Sequence, residues 1–260
     1  MRLGLLAGEE VLSFSPLYFR RIYGLLYEKY TPHDLKSLRQ EILQKKWLGF
    51  NVTTPYKEAV FSLLDEVSAT AAAIQAVNVV SILPDGRWIG ENTDFQAARY
   101  LLSEMSETYP AWERLIVCGT GGAARAVAYA HAELFPDLPI TFLSRSPERK
   151  LPLSIPAEVQ GYPSVQSANF GENILLVQAT PLGMFPRVFE LPPFPLECIK
   201  SGWIVWDLIY NPHPTLFLAR ARDRGAHIEG GLRFFRKQAD YALKMWSEVW
   251  RRYYKQRALV

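Results

Sequence analysis

Apolar residues in the first 90 positions alternate between a strand-like and a helix-like spacing. Short apolar runs predict β-strands over residues 3–7, 47–52, 77–83 and 88–89. Leucine and isoleucine recur every three or four positions in two other stretches, which predicts helices over residues 16–30 and 33–44. The last two predicted strands flank a Pro-Asp-Gly turn, so we expect them to pair as an antiparallel hairpin.

The alternation continues through the rest of the chain. Buried strands are predicted over residues 114–118, 140–143, 174–178 and 203–208, and helices over residues 96–109, from the glycine-rich segment at 119 to about 134, and over 232–254. Strands that alternate with helices are typical of an α/β architecture with parallel strands. The final helix is amphipathic, and we expect it to return to the first domain and pack there.

The composition is that of a folded globular protein and argues against several kinds of binding partner. The chain has 260 residues, 49% hydrophobic and 21% charged, which is typical of a folded globular protein of one large or two smaller domains. The net charge of +3 is too small for a protein that binds nucleic acid over its whole surface, although a local basic pocket fits it. No apolar run approaches the ~20 residues of a membrane span, and the first residues lack a secretory signal. We therefore expect neither a nucleic-acid nor a membrane partner.

Cysteine and histidine usage points to the same class. Two cysteines, Cys118 and Cys198, are too few for a disulfide framework or a four-cysteine zinc site, so a cytoplasmic location is the simpler interpretation. The four histidines lack the spacing of metal ligands, and we expect no metal site. Aromatic residues in the last helix predict a packing stripe or a dimer contact. The oligomeric state, monomer or homodimer, stays open.

A glycine-rich segment, GTGGAAR over residues 119–125, follows a predicted strand and opens a predicted helix. Glycines let the backbone turn sharply and approach a pyrophosphate, and the helix N-terminus offers free N–H groups to the phosphates. The order of strand, glycine loop, helix and strand predicts a dinucleotide-binding unit. A tight turn without a ligand is the alternative. The predicted pyrophosphate-binding residues are Gly119, Gly121, Gly122 and Ala123.

The end of the next strand indicates which dinucleotide. An NAD site usually carries a carboxylate there, about 20 residues after the glycine loop, to hold the ribose 2′-hydroxyl. This chain has no carboxylate at the strand tip, and Arg145 and Arg149 are suited to a 2′-phosphate. NADP is therefore favoured over NAD, and a solvated basic turn is the alternative. The residues assigned to this phosphate are Ser144, Arg145, Ser146 and Arg149.

Four polar clusters stand at loop or strand ends in the first half: residues 13–16 (SFSP), 51–57 (NVTTPYK), 76–78 (AVN) and 92–94 (NTD). Each has a structural explanation when taken alone. Ser15 before Pro16 and Thr54 before Pro55 are good N-caps for helices. Asn78 could satisfy backbone groups at a strand end, and residues 92–94 could cap the helix that follows.

Taken together, the clusters resemble the shikimate dehydrogenase family. The four clusters and the glycine loop occur in that family's order, followed by residues 178–184 (QATPLGM), 207–212 (DLIYNP) and 231–238. The resemblance spans nearly the whole chain. It implies an N-terminal α/β substrate domain, a Rossmann-like NADP-binding domain, and a C-terminal helix that returns to the first domain. The implied domains are residues 1–94 completed by 231–260, and residues 95–230.

The resemblance also implies an activity and a set of site residues. The activity is the reversible reduction of 3-dehydroshikimate to shikimate with NADPH, in the pathway to aromatic amino acids. Lys57 and Asp94 match the family's catalytic pair, in which the lysine protonates or polarises the carbonyl oxygen as hydride arrives. The residues that match the substrate site are Ser13, Ser15, Thr53, Asn78, Tyr210 and Gln238. Those that match the nicotinamide side of the cofactor site are Thr180, Gly183, Met184 and Gly231.

Several positions depart from the family pattern. Gln178 replaces a common Asn, Phe95 replaces a Gly after the catalytic aspartate, and Arg233 replaces a small residue. These departures leave the nicotinamide side less defined than the substrate side. Two alternatives stay open: a quinate/shikimate dehydrogenase with relaxed cofactor choice, and a non-catalytic relative that binds NADP. The intact Lys57 and Asp94 argue against the second.

Overall fold

The chain divides into two compact units. The computed structural model describes residues 2–148, 150–167 and 171–257, with only the backbone described at 166–167 and 252–257. Unit 1 comprises Met1–Thr93 and Gln238–Val260, and unit 2 comprises Asp94–Lys237. The sequence placed the domain boundaries after residue 94 and before residue 231. In the structure the second boundary follows Lys237, so unit 2 also contains the first two turns of the last helix. Which ligand each unit binds stays a prediction.

Unit 1 is built on a six-stranded mixed sheet with the order β2-β1-β3-β5-β6-β4. Strand β1 pairs in parallel with β2 and β3, whereas β5 runs antiparallel to both β3 and β6. The hairpin predicted around the Pro-Asp-Gly turn is confirmed by the pairing of β5 with β6. The strands are β1 (Arg2–Leu6), β2 (Leu26–Tyr30), β3 (Gly49–Val52), β4 (Glu66–Val67), β5 (Val79–Ile82) and β6 (Trp88–Glu91).

The helices of this unit are shorter than the sequence predicts. They are α1 (Ser15–Tyr23), α2 (Leu38–Lys45), α3 (Tyr56–Ala59) and α4 (Ala69–Ile74). The helix predicted over residues 16–30 is wrong beyond Tyr23, because the chain turns at Gly24 with a φ of +65° and continues as β2. Tyr27 of that strand is buried and stacks on Phe19 of α1 at 4.3 Å between ring centroids. This contact between α1 and the strand that follows it stabilises residues 26–30 as a strand and not as a continuation of the helix.

The C-terminal helix α8 (Gly231–Arg257) packs on the sheet of unit 1, as predicted. Trp246 is fully buried, and its Nε1–H donates to the main-chain oxygen of Val80 at 3.0 Å. A Cβ at Gly49 would lie 2.3 Å from Nε1 of Trp246, so the indole can lie against the strand only because residue 49 has no side chain. The indole of Trp246 thus packs and hydrogen-bonds the last helix against β3 and β5, the two central strands of the sheet.

Unit 2 contains a six-stranded, fully parallel sheet with the order β12-β11-β10-β7-β8-β9. Counted within the unit, this is the order 3-2-1-4-5-6 of the dinucleotide-binding fold. The predicted fold class is confirmed. Its strands are β7 (Arg114–Cys118), β8 (Ile140–Ser144), β9 (Glu158–Gly161), β10 (Ile174–Gln178), β11 (Ile204–Asp207) and β12 (His227–Glu229), and its helices α5 (Thr93–Thr108), α6 (Gly122–Leu134) and α7 (Leu216–Asp223), with the start of α8.

Central strands of this sheet are nearly continuous apolar runs, as expected of strands covered on both faces. Ile116, Val117, Leu176 and Val205 are fully buried. Cys118 and Cys198 are both free thiols. Within the described ranges, the helices include none long and apolar enough to cross a membrane. The described side chains also include no group of three or more potential metal ligands.

Candidate active site

The polar clusters of the first half meet at one edge of the unit 1 sheet. Strands β1, β3 and β6 run in the same direction and end at this edge, while β5 begins there. Ser13 and Ser15 lie at the junction of α1 with the loop that follows β1, Thr53 follows β3, and Asn78 precedes β5. The sheet topology therefore gathers segments that lie far apart along the chain.

Ser13 and Ser15 form a hydrogen-bonded pair. The Ser13 hydroxyl donates to Oγ of Ser15 at 3.0 Å, and the main-chain N–H of Ser15 donates to Oγ of Ser13 at 3.1 Å. The prediction that Ser15 is the N-cap of α1 is wrong: Phe14 is the N-cap, and Ser15 is already the first helical residue. The hydroxyl pair thus stands at the N-terminus of α1, where the helix dipole favours an anion.

Lys57 lies on α3 and is half-buried. The segment before it is fixed to β1, because the N–H of Thr53 donates to the oxygen of Leu6 at 2.9 Å. The main-chain oxygen of Lys57 accepts a hydrogen bond from the N–H of Val77 at 2.9 Å, which ties α3 to the segment before β5. The expected N-cap at Thr54 is wrong, because Pro55 holds that position and its side chain accepts no capping hydrogen bond.

Asn78 is buried and carries a structural role that the sequence suggested as an alternative. Its Oδ1 accepts from the main-chain N–H of Thr93 at 2.7 Å, and its Nδ2 donates to the Thr93 hydroxyl at 3.1 Å. The first residue of α5 is therefore held by a side chain from the start of the hairpin, which lies beside the hairpin's last residues. Asp94, the next residue, is 4% exposed and occupies the first turn of α5, where a carboxylate is favoured.

The glycine loop of unit 2 lies between the ends of β7 and α6. Gly119 has a φ of +103°, and a Cβ there would lie 3.0 Å from the Thr180 side chain. Gly121 is the N-cap of α6, has an extended backbone, and borders open space where a Cβ would meet nothing within 4 Å. Gly122 and Ala123 begin the helix, so their N–H groups have no partner within it. The loop fits a pyrophosphate, because the backbone is open at Gly121 and donors converge there.

One residue of the glycine motif has a role that the sequence interpretation missed. Arg125 is 2% exposed, and its Nη1 donates to the main-chain oxygen of Thr120 at 3.0 Å. The guanidinium thus braces the glycine loop at Thr120. Its position as the last residue of the glycine motif was the one feature of the sequence that could have indicated this role.

The predicted 2′-phosphate site follows β8. Ser144 is half-buried and its Oγ accepts from the N–H of Ser146 at 3.0 Å, while Arg145 and Ser146 are exposed. The turn therefore presents Arg145 to solvent beside two hydroxyls. Arg149, also predicted here, lies outside the described residues.

The loop after β10 contains the predicted nicotinamide-side residues Thr180, Gly183 and Met184, and Gln178 braces it. The Gln178 side chain is fully buried, accepts from the N–H of Thr180 at 2.6 Å and donates to the oxygen of Leu182 at 3.0 Å. Gly183 has a φ of +93°, which favours glycine, and the N–H of Met184 closes a turn onto Pro181 at 3.2 Å. The unusual glutamine therefore organises the loop instead of disrupting it.

The neighbouring loop follows β11, and both Asp207 and Gly231 lie against it. Asp207 ends β11, is fully buried, and accepts from the N–H of Ile209 at 3.0 Å and from the Thr215 hydroxyl at 2.7 Å. Burial raises its pKa to about 7. A Cβ at Gly231 would lie 2.1 Å from the main-chain oxygen of Leu208, so this chain's own backbone makes glycine necessary there. Tyr210 in the same loop is half-buried, with its ring 4.5 Å from that of Phe235.

Comparison with known proteins decides the family. Residues 10–80 match the shikimate dehydrogenase substrate binding domain. The shikimate dehydrogenase (NADP(+)) of Desulforamulus reducens is 34% identical over 251 residues, which cover 90% of this chain and 86% of the relative. The chain belongs to the shikimate dehydrogenase family. The resemblance seen in the motif order is thereby confirmed.

Two solved structures add detail. The shikimate 5-dehydrogenase of Thermus thermophilus, in complex with NADP(H) and shikimate, is 29% identical, with a TM-score of 0.77 over 95% of this chain and 94% of that one. The quinate dehydrogenase of Corynebacterium glutamicum, in complex with NAD, is 26% identical, with a TM-score of 0.80 over 95% and 94%. Similar structures thus include a shikimate dehydrogenase with NADP(H) and shikimate bound and a quinate dehydrogenase with NAD bound.

The raised pKa of Asp207 gives a pH-dependent stability. A carboxyl whose pKa is higher in the folded chain than in the unfolded chain binds more protons when folded, so stability falls as the pH rises from about 4 to 7. We expect wild-type stability relative to Asp207→Asn to fall across this window by at least about 1.4 kcal/mol, the value of one pKa unit. Urea unfolding of both proteins between pH 4.5 and 7.5 measures the difference.

The comparison of two proteins is needed because a second buried group acts in the opposite direction. Burial lowers the pKa of His131 to about 4, so its contribution to stability is lost as the pH falls from about 6.5 to 4. Both proteins retain His131, and the difference between them cancels its effect. A difference that stays constant with pH contradicts the assignment for Asp207.

Proposed function

We propose that this chain is an NADP-dependent shikimate dehydrogenase that reversibly reduces 3-dehydroshikimate to shikimate. The observation that carries the proposal is the edge of the unit 1 sheet, where a serine pair, Thr53, Lys57 and Asn78 come together in a member of this family. Unit 2 supports it with the strand order and open glycine loop of a dinucleotide-binding domain. Intact Lys57 and Asp94 favour an enzyme over a non-catalytic relative.

Hydrogen-bonding groups account for substrate recognition. We assign the substrate carboxylate to the paired hydroxyls of Ser13 and Ser15, together with Tyr210. Thr53, Asn78 and Gln238 are assigned to the ring hydroxyls or the carboxylate. Such a site rejects analogues that lack a matching hydroxyl, because its buried polar groups would be left unpaired.

Lys57 and Asp94 carry the proton transfer. Bound NADPH supplies the hydride. Negative charge then develops on the substrate oxygen, and the Lys57 ammonium polarises that oxygen and donates the proton to it. Asp94 is assigned to a hydrogen bond with the same substrate hydroxyl, as its place in the family's catalytic pair implies. In the reverse direction Lys57 accepts the proton as shikimate is oxidised.

We assign the cofactor residues to three parts of the dinucleotide: the pyrophosphate, the 2′-phosphate and the nicotinamide. The pyrophosphate is assigned to the glycine loop, which is open at Gly121. The 2′-phosphate is assigned to the turn that presents Arg145, because a guanidinium matches a phosphate in charge and geometry. The cofactor-binding set is Gly119, Gly121, Gly122, Ala123, Ser144, Arg145, Ser146, Arg149, Thr180, Gly183, Met184 and Gly231. The two free cysteines favour a reducing compartment, and we propose the cytoplasm.

Initial-rate assays test the function directly. We expect NADP+ reduction with shikimate, a much lower rate with quinate, and a much lower rate with NAD+. Lys57→Ala should lower kcat by about a hundredfold or more with little change in KM, because the proton donor is lost while the binding groups remain. Replacement of the exposed Lys36 by alanine is the matched control and should leave both constants unchanged.

The outcomes separate the candidates. No turnover of shikimate at millimolar concentration overturns the proposal. Equal rates with quinate favour the second candidate, a quinate/shikimate dehydrogenase, which the likeness to a quinate dehydrogenase keeps open. A near wild-type kcat for Lys57→Ala refutes the proton-transfer role.

Two variants separate the cofactor's phosphate groups. Arg145→Ala should raise KM for NADP+ about tenfold or more and leave the constants for NAD+ unchanged, because only the 2′-phosphate contact is lost. Gly121→Ala should weaken both cofactors, since its Cβ projects into the space assigned to the pyrophosphate, while stability falls by less than about 1 kcal/mol. Equal losses with NADP+ and NAD+ in Arg145→Ala contradict the 2′-phosphate assignment.

A further inference from the structure

Asp207 is a buried carboxyl group that the proposed mechanism does not use. It ends β11, and its solvent exposure is 0%. Burial of a carboxyl group is costly unless hydrogen bonds compensate for it. Two such bonds are present: Oδ1 accepts from the Ile209 N–H at 3.0 Å, and Oδ2 accepts from the Thr215 hydroxyl at 2.7 Å.

These two bonds link both ends of one loop, residues 208–215. Ile209 is near its start, and Thr215 is its last residue and the N-cap of α7. The Thr215 Oγ1 also accepts from the N–H of Leu218 at 3.2 Å, so the hydroxyl has both a donor and an acceptor partner. One side chain at the end of the strand therefore sets the span of the loop and the start of the helix.

The loop is joined on one side to the loop after β10. The Leu208 N–H donates to the main-chain oxygen of Gln178 at 3.0 Å, and the Phe185 N–H donates to that of Asn211 at 3.1 Å. Gln178 and Asp207 are register partners at the ends of adjacent strands. Each turns its buried side chain onto the loop that follows its own strand.

The loop is joined on the other side to the start of α8. The Gly231 N–H donates to the main-chain oxygen of Ile209 at 3.1 Å. The backbones approach so closely that a Cβ at Gly231 would overlap the oxygen of Leu208 at 2.1 Å. A small displacement of residues 208–209 must therefore move Gly231 as well. Tyr210 follows these two residues directly and moves with them.

We propose that Asp207, through its hydrogen bond with Thr215, is a positioning residue that fixes Tyr210 and Gly231 for the reaction. This inference rests on the proposed function, in which Tyr210 contacts the substrate and Gly231 the nicotinamide side of the cofactor. Asp207 itself touches neither ligand. Its effect is geometric, and a misplacement of about 1 Å is enough to slow an enzyme by as much as a hundredfold.

The test compares two isosteric variants with a conservative one. Thr215→Val keeps the shape of the side chain and removes the hydroxyl, and Thr215→Ser keeps the hydroxyl. Asp207→Asn keeps the acceptor for Ile209 but replaces the acceptor for Thr215 with an amide NH₂. Circular dichroism and thermal melting first establish that each variant is folded at the assay temperature.

Three readouts follow. In Thr215→Val and Asp207→Asn we expect kcat/KM for shikimate to fall about tenfold to a hundredfold. The Kd for NADP+, measured by calorimetry, should stay within threefold, because the glycine loop and Arg145 are untouched. In the protein without ligands, amide exchange at Leu208 and Ile209 should be faster by about tenfold, while amides of β7 keep their wild-type rates. Thr215→Ser should match wild type in every measurement.

The inference is overturned if the folded Val and Asn variants keep wild-type kcat/KM and exchange rates. It is also overturned if Thr215→Ser loses as much as Thr215→Val, or if the Kd for NADP+ rises by the whole factor lost in kcat/KM. If Thr215→Val does not fold, Asp207→Asn decides the outcome. If wild-type protein does not turn over shikimate, the proposed function fails, and the exchange rates still show whether Asp207 holds the loop.

Discussion

A main-chain N–H or C=O that enters the protein interior must find a hydrogen-bond partner, and the functional loops of this chain depend on that requirement. These loops begin where a strand ends, so their first peptide groups lie inside the fold. Three buried side chains at strand or hairpin ends satisfy them: Asn78 for Thr93, Gln178 for Thr180 and Leu182, and Asp207 for Ile209. Each bond is worth only about 1 kcal/mol net, but leaving the buried group unpaired costs more. The loops are thereby held in one conformation.

The consequence for function is that residues assigned to ligands stand beside residues that hold the backbone. Asp94 immediately follows Thr93, which Asn78 anchors, and Tyr210 follows Ile209, which Asp207 anchors. Glycine serves two different purposes in the same loops. Gly121 borders open space, which leaves room for a phosphate, whereas Gly231 lies against the backbone of residue 208 and leaves room only for the chain itself. A preorganised site of this kind needs little rearrangement when charge develops in the reaction.

The sequence predicted unit 2 more accurately than unit 1, and the reason is physical. Strands covered on both faces are continuous apolar runs with clear ends, so β7, β8 and β10 were predicted to within one residue. Strand β2 lies at a sheet edge and is half-exposed, and its apolar residues continued the helical spacing of α1. The short strands β4 and β12 carry two and three residues, too few for any periodicity to be seen.

The candidate site residues were recognisable from the order of the motifs, but their hydrogen-bond partners were not. The bonds between Asn78 and Thr93 join residues 15 positions apart and depend on the register of the hairpin. The roles of Arg125, Gln178 and Asp207 also depend on which way a buried side chain turns at a strand or helix end. Motif order indicates the chemistry of the site, and only the three-dimensional arrangement shows which polar residues support it.

In the proposed function, these loops position one substrate carbon for direct hydride transfer from NADPH. The most direct measurement is the reduction of 3-dehydroshikimate by NADPH that carries deuterium at nicotinamide C4 on the transferred side, with the product analysed by NMR and mass spectrometry. Direct hydride transfer gives shikimate with one deuterium at the former carbonyl carbon and none from the solvent. Unlabelled shikimate, or deuterium incorporated only when the water is D₂O, would contradict it.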